Sequence, residues 1–327
     1  MTTSIPQVVV ICGGVGAARF LRGLVEVVPP SSITAIVNVA DDFVIHGLHV
    51  SPDLDTIMYT LADAIDTERG WGLRNETWRA MESLERYGQG AWFSLGDQDL
   101  ATHLQRTARR NDGATLSEVT AELHQAWDVE VTVLPVSNDP ISTRVTRADT
   151  GEEIGFQEYF VGLGHSVALS KIRFAGIEDA SPTPEVLAAI AGADAIFLAP
   201  SNPLVSIAPV LEVPGVTAAL QAAEAPRVAV SPIVGGDALK GPAADMLASL
   251  SHRVDAAGVA ALWSSIIDIL LIDDVDAALA RSVAEAGVVP YVTDTIMADP
   301  IRRTSVARSA FAATALPVRG TPRSQHR

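Results

Sequence analysis

The sequence predicts an α/β fold: a mostly parallel sheet with helices on both faces, plus a smaller β-containing subdomain. Three observations carry this. Short apolar, β-branched runs alternate with segments whose apolar residues recur at helical spacing. Each of these runs ends in polar or glycine-containing residues, as strands do when a ligand crevice lies along the carboxyl edge of a parallel sheet. The pattern changes once, after Val129, where the period becomes two. Residues 1–128 and 177–315 are therefore read as the core and 129–176 as an inserted β-containing subdomain. Residues 316–327, rich in Pro, Arg and Ser, are read as a disordered tail.

The first strand is Gln7 to Ile11. It runs into Cys12-Gly13-Gly14-Val15-Gly16-Ala17-Ala18-Arg19, and Ala17 to Val28 reads as a helix. Glycines let the backbone approach a ligand, and a helix start offers unpaired N–H groups to a phosphate. The pattern is neither a P-loop, since G-K-[ST] is missing, nor G-x-G-x-x-G, since Arg19 stands at the third glycine. Turn packing alone would also call for glycine here.

Ile33 to Val37 is a second buried strand. The stretch Asn38 to Thr56 then holds four carboxylates, Asp41, Asp42, Asp53 and Asp55, in nineteen residues. Leu54 to Ile65 is helical, with Asp53 placed to cap it. Crowded carboxylates repel unless a cation or proton offsets them, and hard oxygen ligands suit Mg²⁺. The bland alternative is a solvated acidic loop with a helix cap.

Gly70 to Trp78 places two tryptophans among glycines, where a flat heterocycle could stack on Trp71. Trp78, Met81 and Leu84 fit the core face of a helix to about Tyr87, opened by a turn capped at Asn75. Gly96-Asp97-Gln98-Asp99 opens a helix from about Leu100 to Arg110, with Asp97 or Asp99 a possible cap. His103, Arg106, Arg109 and Arg110 on that helix could reach an anion. Leu116 to Trp127 is a further helix.

Val129 to Val136, Thr143 to Ala148 and Phe156 to Phe160 read as strands of the subdomain, the last two joined through Asp149-Thr150-Gly151-Glu152. Alternation then resumes. Helices are expected at Pro184–Ala191, Val216–Ala223, after Pro242, at Ala277–Ala286 and at Ile301–Ala313. Strands are expected at Asp194–Ala199, Arg227–Val230, Asp268–Ile272 and Val288–Val292.

Composition narrows the function. The net charge of -16 over 327 residues argues against nucleic acid as partner. Only Lys171 and Lys240 are lysines, so an anionic ligand must rely on backbone amides, a metal and a few arginines. A single cysteine, Cys12, excludes an intramolecular disulfide and a Cys-only metal site, and fits a reducing cytoplasm. No basic-then-apolar leader and no run of eighteen apolar residues is present, so neither a signal peptide nor a membrane span is expected. A glycine-rich loop and an aspartate-rich loop on one sheet edge suit transfer of a phosphate-containing group. No Ser-His-Asp or Cys-His arrangement or G-x-S-x-G elbow competes.

Taken in order, the motifs resemble the 2-phospho-L-lactate transferase family of coenzyme F420 biosynthesis. They are G-G-x-G-x-x-R (Gly13 to Arg19), N-x-x-D-D (Asn38 to Asp42), S-P-D-L-D-T (Ser51 to Thr56), W-G-x-x-N-E-T (Trp71 to Thr77), L-G-D-x-D (Leu95 to Asp99), A-P-S-N-P (Ala199 to Pro203) and S-P-I-V-x-G-x-x-L-K-G-P (Ser231 to Pro242). The likeness spans nearly the whole chain, and the Gly-Trp-Gly-Leu-Arg-Asn-Glu-Thr-Trp run is most similar to the actinobacterial, phosphoenolpyruvate-using branch.

The resemblance implies a Rossmann-like core, a homodimer, dependence on Mg²⁺, and two substrates. The ribityl hydroxyl of the deazaflavin Fo would attack the phosphate bearing the lactyl or enolpyruvyl group of a guanosine diphosphate diester, and GMP would leave. Asp41, Asp42 and Asp53 become the metal-binding and catalytic residues, with Asp55 beside them. Gly13, Gly14 and Gly16 would face the diphosphate, with Arg19 and Asn38 completing that set. Ser201, Asn202, Lys240 and Gly241 would line the nucleotide side, and Trp71, Gly96 and Asp97 the Fo ring. Gln98 departs from the family's usual Arg or Lys, whose role would be missing or taken by Arg106. Two other functions compete: a non-catalytic nucleotide-sugar-binding regulator of the same fold, which would not need four aspartates, and a NAD-dependent oxidoreductase, disfavoured by the glycine pattern and by Asn38 where a ribose-binding acid is expected.

Overall fold

The computed structural model describes residues 5–88 and 92–316. Strand β1 (Val8–Cys12) is buried along its whole length and turns at Gly13 into helix α1 (Gly14–Leu24). Strand β2 (Ile33–Val37) pairs parallel to β1. The acidic stretch that follows is not a plain loop. It contains a hairpin of β3 (Phe43–Ile45) and β4 (Leu48–Val50), turning at His46 and Gly47 with φ of 52° and 77°. Two positive φ values match the strand twist, as in Asn-Gly hairpins, but His-Gly is a weaker signal in sequence.

Helix α2 (Pro52–Leu61) begins earlier than its apolar spacing suggests, because Pro52 supplies a first-turn residue that needs no N–H partner. Three helices follow: α3 (Arg79–Arg86), α4 (Asp99–Asn111) and α5 (Leu116–Ala126). Helix α5 opens with a reciprocal Thr115–Glu118 capping box.

The next segment corrects the expected subdomain. Strand β5 (Thr132–Pro135), read with the inserted sheet, instead pairs parallel with β2 in the main sheet. The separate sheet holds β6 (Ser142–Arg147), β7 (Glu153–Gly155) and β8 (Leu169–Ala175), all antiparallel, in the order β7-β6-β8. Phe156 to Phe160 is not a strand; Glu158–Gly162 forms a π-helical turn. Phe156 and Tyr159, three apart, both bury against Val145 and Leu169, a spacing that helical geometry satisfies and a strand does not.

The remaining chain returns to the main sheet. Its elements are α6 (Pro184–Ala191), β9 (Ala195–Leu198), α7 (Ala208–Glu212), α8 (Val216–Ala222), β10 (Arg227–Val230), a short β11 (Ile233–Val234) and β12 (Asp237–Ala238) ribbon, α9 (Ala243–Ser249), α10 (Ala256–Trp263), β13 (Ile269–Ile272), α11 (Ala280–Glu285), β14 (Val289–Val292) and α12 (Pro300–Ala313). The unexpected α10 reads Ala-Ala-Gly-Val-Ala-Ala-Leu-Trp, apolar nearly all round because most of it is buried, so no 3.6 period shows.

Seven strands, all parallel, run in the order β14-β13-β10-β9-β1-β2-β5, flanked by helices. Burial on both faces explains why β1, β9 and β13 are continuous apolar runs. Each buried Ile, Leu or Val there contributes about 1.5–3 kcal/mol. From β1 the chain crosses to β2 on one side, and β9 later adds on the other. The order therefore reverses at β1, and a crevice opens where the carboxyl ends of β1 and β9 diverge.

Among the described residues no single helix is long and apolar enough to cross a membrane. Apart from Leu316, the expected tail lies outside the described residues.

Candidate active site

A cleft of about 640 Å³ occupies that crevice. Its floor is the turn after β1. Gly14 has a φ of 71°, a left-handed conformation that favours glycine, and its N–H donates to Asp53 Oδ1 at 2.8 Å. A Cβ on Gly16 would overlap the Pro200 carbonyl oxygen, so only glycine lets α1 sit against the β9 turn. Ser201 Oγ donates to the Gly13 carbonyl oxygen at 2.6 Å and ties the same two turns together.

Asp53 is the hinge between the glycine turn and the acidic stretch. It does not cap α2, as its position suggested; Ser51 is the N-cap residue. Its two oxygens face away from the helix, one to Gly14 and the other to Asn38 Nδ2 at 3.0 Å. Asn38 accepts from the Ala40 N–H at 2.9 Å and also donates to the Val205 carbonyl, so it braces the carboxylate rather than lining the cleft.

The four aspartates differ in how their charge is met. Burial raises Asp41 well above the ordinary carboxylate range, and the neighbouring Asp53 charge adds to it. Burial pushes Asp42 up to about 8, against a hydrogen bond from Ser51 and the Arg106 charge. Asp53 is pushed up to about 6 by burial, opposed by its bonds from Asn38 and Gly14. Asp41 Oδ1 and Asp42 Oδ1 are buried without a hydrogen-bond partner. Asp55 differs: the buried Arg106 grips both its oxygens, Nη2 on Oδ1 and Nη1 on Oδ2 at 3.1 Å.

Asp41 and Asp53 line the cleft, whereas Asp42 lies behind it against Ser51. The buried, partnerless Asp41 Oδ1 is what a hard cation satisfies, and Asp53 adds a second carboxylate on the same cleft, so the pair fits Mg²⁺. A second arrangement also invites an ion: ligand atoms of Asp55, Asp99 and His103 lie within 4.8 Å of one another. There, however, Arg106 already supplies positive charge, and His103 offers nitrogen, a poor ligand for Mg²⁺.

Asp99 and His103 also line the cleft, although in sequence Asp99 looks like a helix cap and His103 like a lone helical histidine. Asp99 accepts from Tyr59 Oη at 2.6 Å and lies 3.2 Å from His103 Nε2. Burial alone would raise Asp99, but the His103 and Tyr59 hydrogen bonds outweigh it and hold the carboxyl below its ordinary range. All three line the cleft.

Arg19 and Lys240 also line the cleft. Burial and the Arg19 charge lower Lys240, whose Nζ donates to the Arg69 carbonyl at 3.1 Å. Two cations near each other leave an anion-seeking end. Gly241 and Asn202 line the same cleft. Asn202 uses Oδ1 to accept from the Leu204 N–H at 2.9 Å, capping the π-helical turn Pro203–Ile207.

The third wall is aromatic. Trp71, 45% exposed, is there as expected, with the Arg69 guanidinium 5.5 Å from its ring centre. Gly96 and Asp97, expected beside it, do not line the cleft. Asp97 accepts from the Arg79 and Ala80 N–H groups at 3.2 and 3.0 Å, meeting the open start of α3 in place of Asn75. Glu76 in turn accepts from Gln98 and Asp99 N–H and caps α4. Gly96 must be small because Glu76 packs on it. Gln98 is exposed and bonds the Arg74 and Asn75 carbonyls, while Arg106, Arg109 and Arg110 are engaged by Asp55, Glu122 and the Ala114 carbonyl. None of the three arginines reaches the cleft, so Arg106 does not replace a cation at position 98. The aromatic wall is instead completed by Trp92, Phe93, Phe156 and Phe160, which the sequence reading did not assign to a site.

Comparison with known proteins agrees with this architecture. A family model described as 2-phospho-L-lactate transferase CofD matches residues 8–310. A phosphoenolpyruvate transferase of Streptomyces griseus is 44% identical over 309 residues, covering 93% of this chain and 97% of the relative. One from Mycobacterium avium is 44% identical over 317 residues, covering 88% and 94%. A solved Bacillus halodurans protein of the UPF0052 family shares the fold with a TM-score of 0.65 at 20% identity, covering 94% of this chain and 99% of that one. The chain belongs to the 2-phospho-L-lactate transferase family.

Proposed function

We propose that this transferase moves a phosphoenolpyruvyl group from a guanosine diphosphate diester to the terminal ribityl hydroxyl of the deazaflavin Fo, giving dehydro-coenzyme F420-0 and GMP. The enolpyruvyl donor is preferred over the 2-phospho-L-lactyl donor because the Streptomyces and Mycobacterium relatives carry the phosphoenolpyruvate transferase name. The same names disfavour a non-catalytic nucleotide-sugar binder. The observation that carries the reading is the joining of the glycine turn to the acidic stretch, through Gly14 N–H and Asp53, inside one cleft with an aromatic wall.

The α1 start directs its first-turn N–H groups toward the diphosphate; Gly14 gives its own to Asp53, leaving those of Val15 and Gly16. Arg19 and Lys240 add positive charge on the nucleotide side. Mg²⁺ would be held by Asp41 and Asp53, with Asp42 behind them against Ser51, and would supply neutralisation of the phosphate oxygens. Asp99, kept ionised by Tyr59 and His103, orients the attacking hydroxyl and takes its proton. The bond formed is ribityl oxygen to phosphorus; the bond broken joins that phosphorus to the oxygen leaving with GMP. Phosphoryl transfer asks mainly for such alignment and charge neutralisation. The aromatic wall takes the Fo ring. A cytoplasmic location and a homodimer are part of the same proposal, supported by the family resemblance.

The test is direct. The pure protein is incubated with Fo, Mg²⁺ and each synthetic guanylyl donor, and the products are weighed by mass spectrometry. The expected result is dehydro-coenzyme F420-0 plus GMP from the enolpyruvyl donor; no product from either donor overturns the proposal.

A further inference from the structure

We infer that His165 is a specificity-determining residue that reads the polar edge of the acceptor's planar ring. This deepens the proposed function and rests on its assignment of a flat heterocyclic acceptor. Four observations meet at this residue. It follows the π-helical turn Glu158–Gly162 and lines the cleft together with Phe156 and Phe160. Its imidazole stacks on Phe160, with ring centres 5.5 Å apart and planes 26° apart; Phe160 stacks in turn on Phe156 at 5.6 Å and 4°. Its Nδ1 is buried and has no hydrogen-bond partner. Its backbone is left-handed, with a φ of 46°, directly after Gly164 at 56°.

A side chain with a Cβ is uncommon in that backbone region, and strain of this kind gathers at ligand sites. The His165 N–H donates to the Tyr159 carbonyl at 2.9 Å, which holds the turn that aims the ring. A buried imidazole nitrogen without a partner is unfavourable unless a ligand supplies one. The near-parallel stack decides which ligand. A planar ring set beside His165 on the same face of Phe160 would share the near-parallel stack and present its edge to the imidazole. A phosphate or a ribityl chain offers no such plane. The imidazole donates or accepts through Nδ1 by choice of tautomer, which suits the N–H and C=O pattern of a pyrimidine-like ring edge. Trp92 lies beside the same turn: a Cβ on Gly162 would stand 3.5 Å from its ring.

The test uses the full-length protein with Mg²⁺. Acceptor binding is measured by titration calorimetry, and KM and kcat for acceptor and donor in the transfer assay. His165→Phe keeps the stack and removes the nitrogen; His165→Asn keeps a polar group and tolerates a left-handed φ. We expect His165→Phe to weaken acceptor binding about tenfold, the worth of one hydrogen bond, with donor KM and kcat changed less than about threefold. His165→Asn should recover part of that loss. Phe160→Leu, which removes the platform, should lose acceptor binding by a similar factor. Circular dichroism and melting temperature report whether each variant folds, and Asn serves where Phe does not. Acceptor binding unchanged in His165→Phe, or a loss falling on the donor, overturns this inference alone. Absence of acceptor binding by the unaltered protein overturns the proposed function and this inference with it.

Discussion

Replacing Arg106 with Met should strip the molecule of a cation that no sequence motif advertises. The side chain is 2% exposed, and its guanidinium holds both oxygens of Asp55, with further contacts to His103 Nδ1 at 3.2 Å and the His49 carbonyl at 3.4 Å. Met keeps most of the apolar stem but none of the charge. Asp55 is then a buried carboxylate near Asp42, without its guanidinium and with His103 Nδ1, 3.8 Å away, beside it. Breaking a buried pair from one side costs about 3–5 kcal/mol, because the other charge stays behind. For a chain of this size that is a fall in melting temperature of about 4–7 °C. Removing both partners, Arg106→Met with Asp55→Leu, should return stability to within about 1 kcal/mol of the unaltered protein. Arg106→Lys should fall between, since an ammonium keeps the charge but not the fork. Urea unfolding of these four proteins and of the Asp55→Leu single variant, in EDTA, gives the cycle. A loss below about 1 kcal/mol for Arg106→Met, or a double variant no more stable than the single one, refutes the view that Arg106 neutralises Asp55.

Three further expectations follow from the cleft. Asp41→Asn should lower turnover by about a thousandfold, the scale of losing a metal-organised site, yet melt above the unaltered protein in EDTA because a penalised charge is gone; turnover and calorimetry check both halves. Mg²⁺ affinity should weaken from pH 8 toward pH 5, since protons compete for Asp42 and Asp53 near pH 8 and pH 6. By the same raised values, the ion-free protein should gain stability over that fall in pH, the folded state binding protons more tightly than the unfolded one; an affinity flat across the window counts against Asp53 as a ligand and Asp42 as its neighbour. Gly16→Ala should destabilise by about 2–3 kcal/mol in urea unfolding, because its Cβ overlaps the Pro200 backbone oxygen and one of the two turns must move.

Much of the frame was legible because it is local. The buried strands Ile33–Val37 and Arg227–Val230 fall on the predicted residues, since an apolar β-branched run bounded by turn residues has few other uses. The glycine turn was legible for the same reason. What stayed hidden depends on pairs far apart in the chain. Asp97 and Glu76 exchange helix starts across the α3–α4 junction, so each carboxylate looks like a cap for the wrong helix or for none. Strand β5 carries the same apolar character in either sheet; its partner β2 is about a hundred residues earlier, and only pairing decides. Trp92 and Phe93 sit beside the Gly-Asp-x-Asp motif and Phe156 and Phe160 are four apart, but nothing in sequence turns these two aromatic pairs toward one cleft.

The assignment of the cation site turns on the same kind of long-range contact. Four aspartates in nineteen residues look equivalent in sequence, and a single divalent ion could not balance all of them. Arg106, about fifty residues away, removes Asp55 from the count. Ser51 bonds Asp42 and holds it behind the cleft. Asp41 and Asp53 remain lining the cleft without a cationic partner, and one proposed Mg²⁺ would match their charge. Converging ligand atoms alone would favour Asp55, Asp99 and His103. Charge decides against that set, because an ion there would sit against a guanidinium in a low-dielectric interior, where like charges repel most strongly. The proposed ion is therefore assigned beside the glycine turn, where Asp53 is already fastened to the first N–H of α1 and the proposed diphosphate would lie.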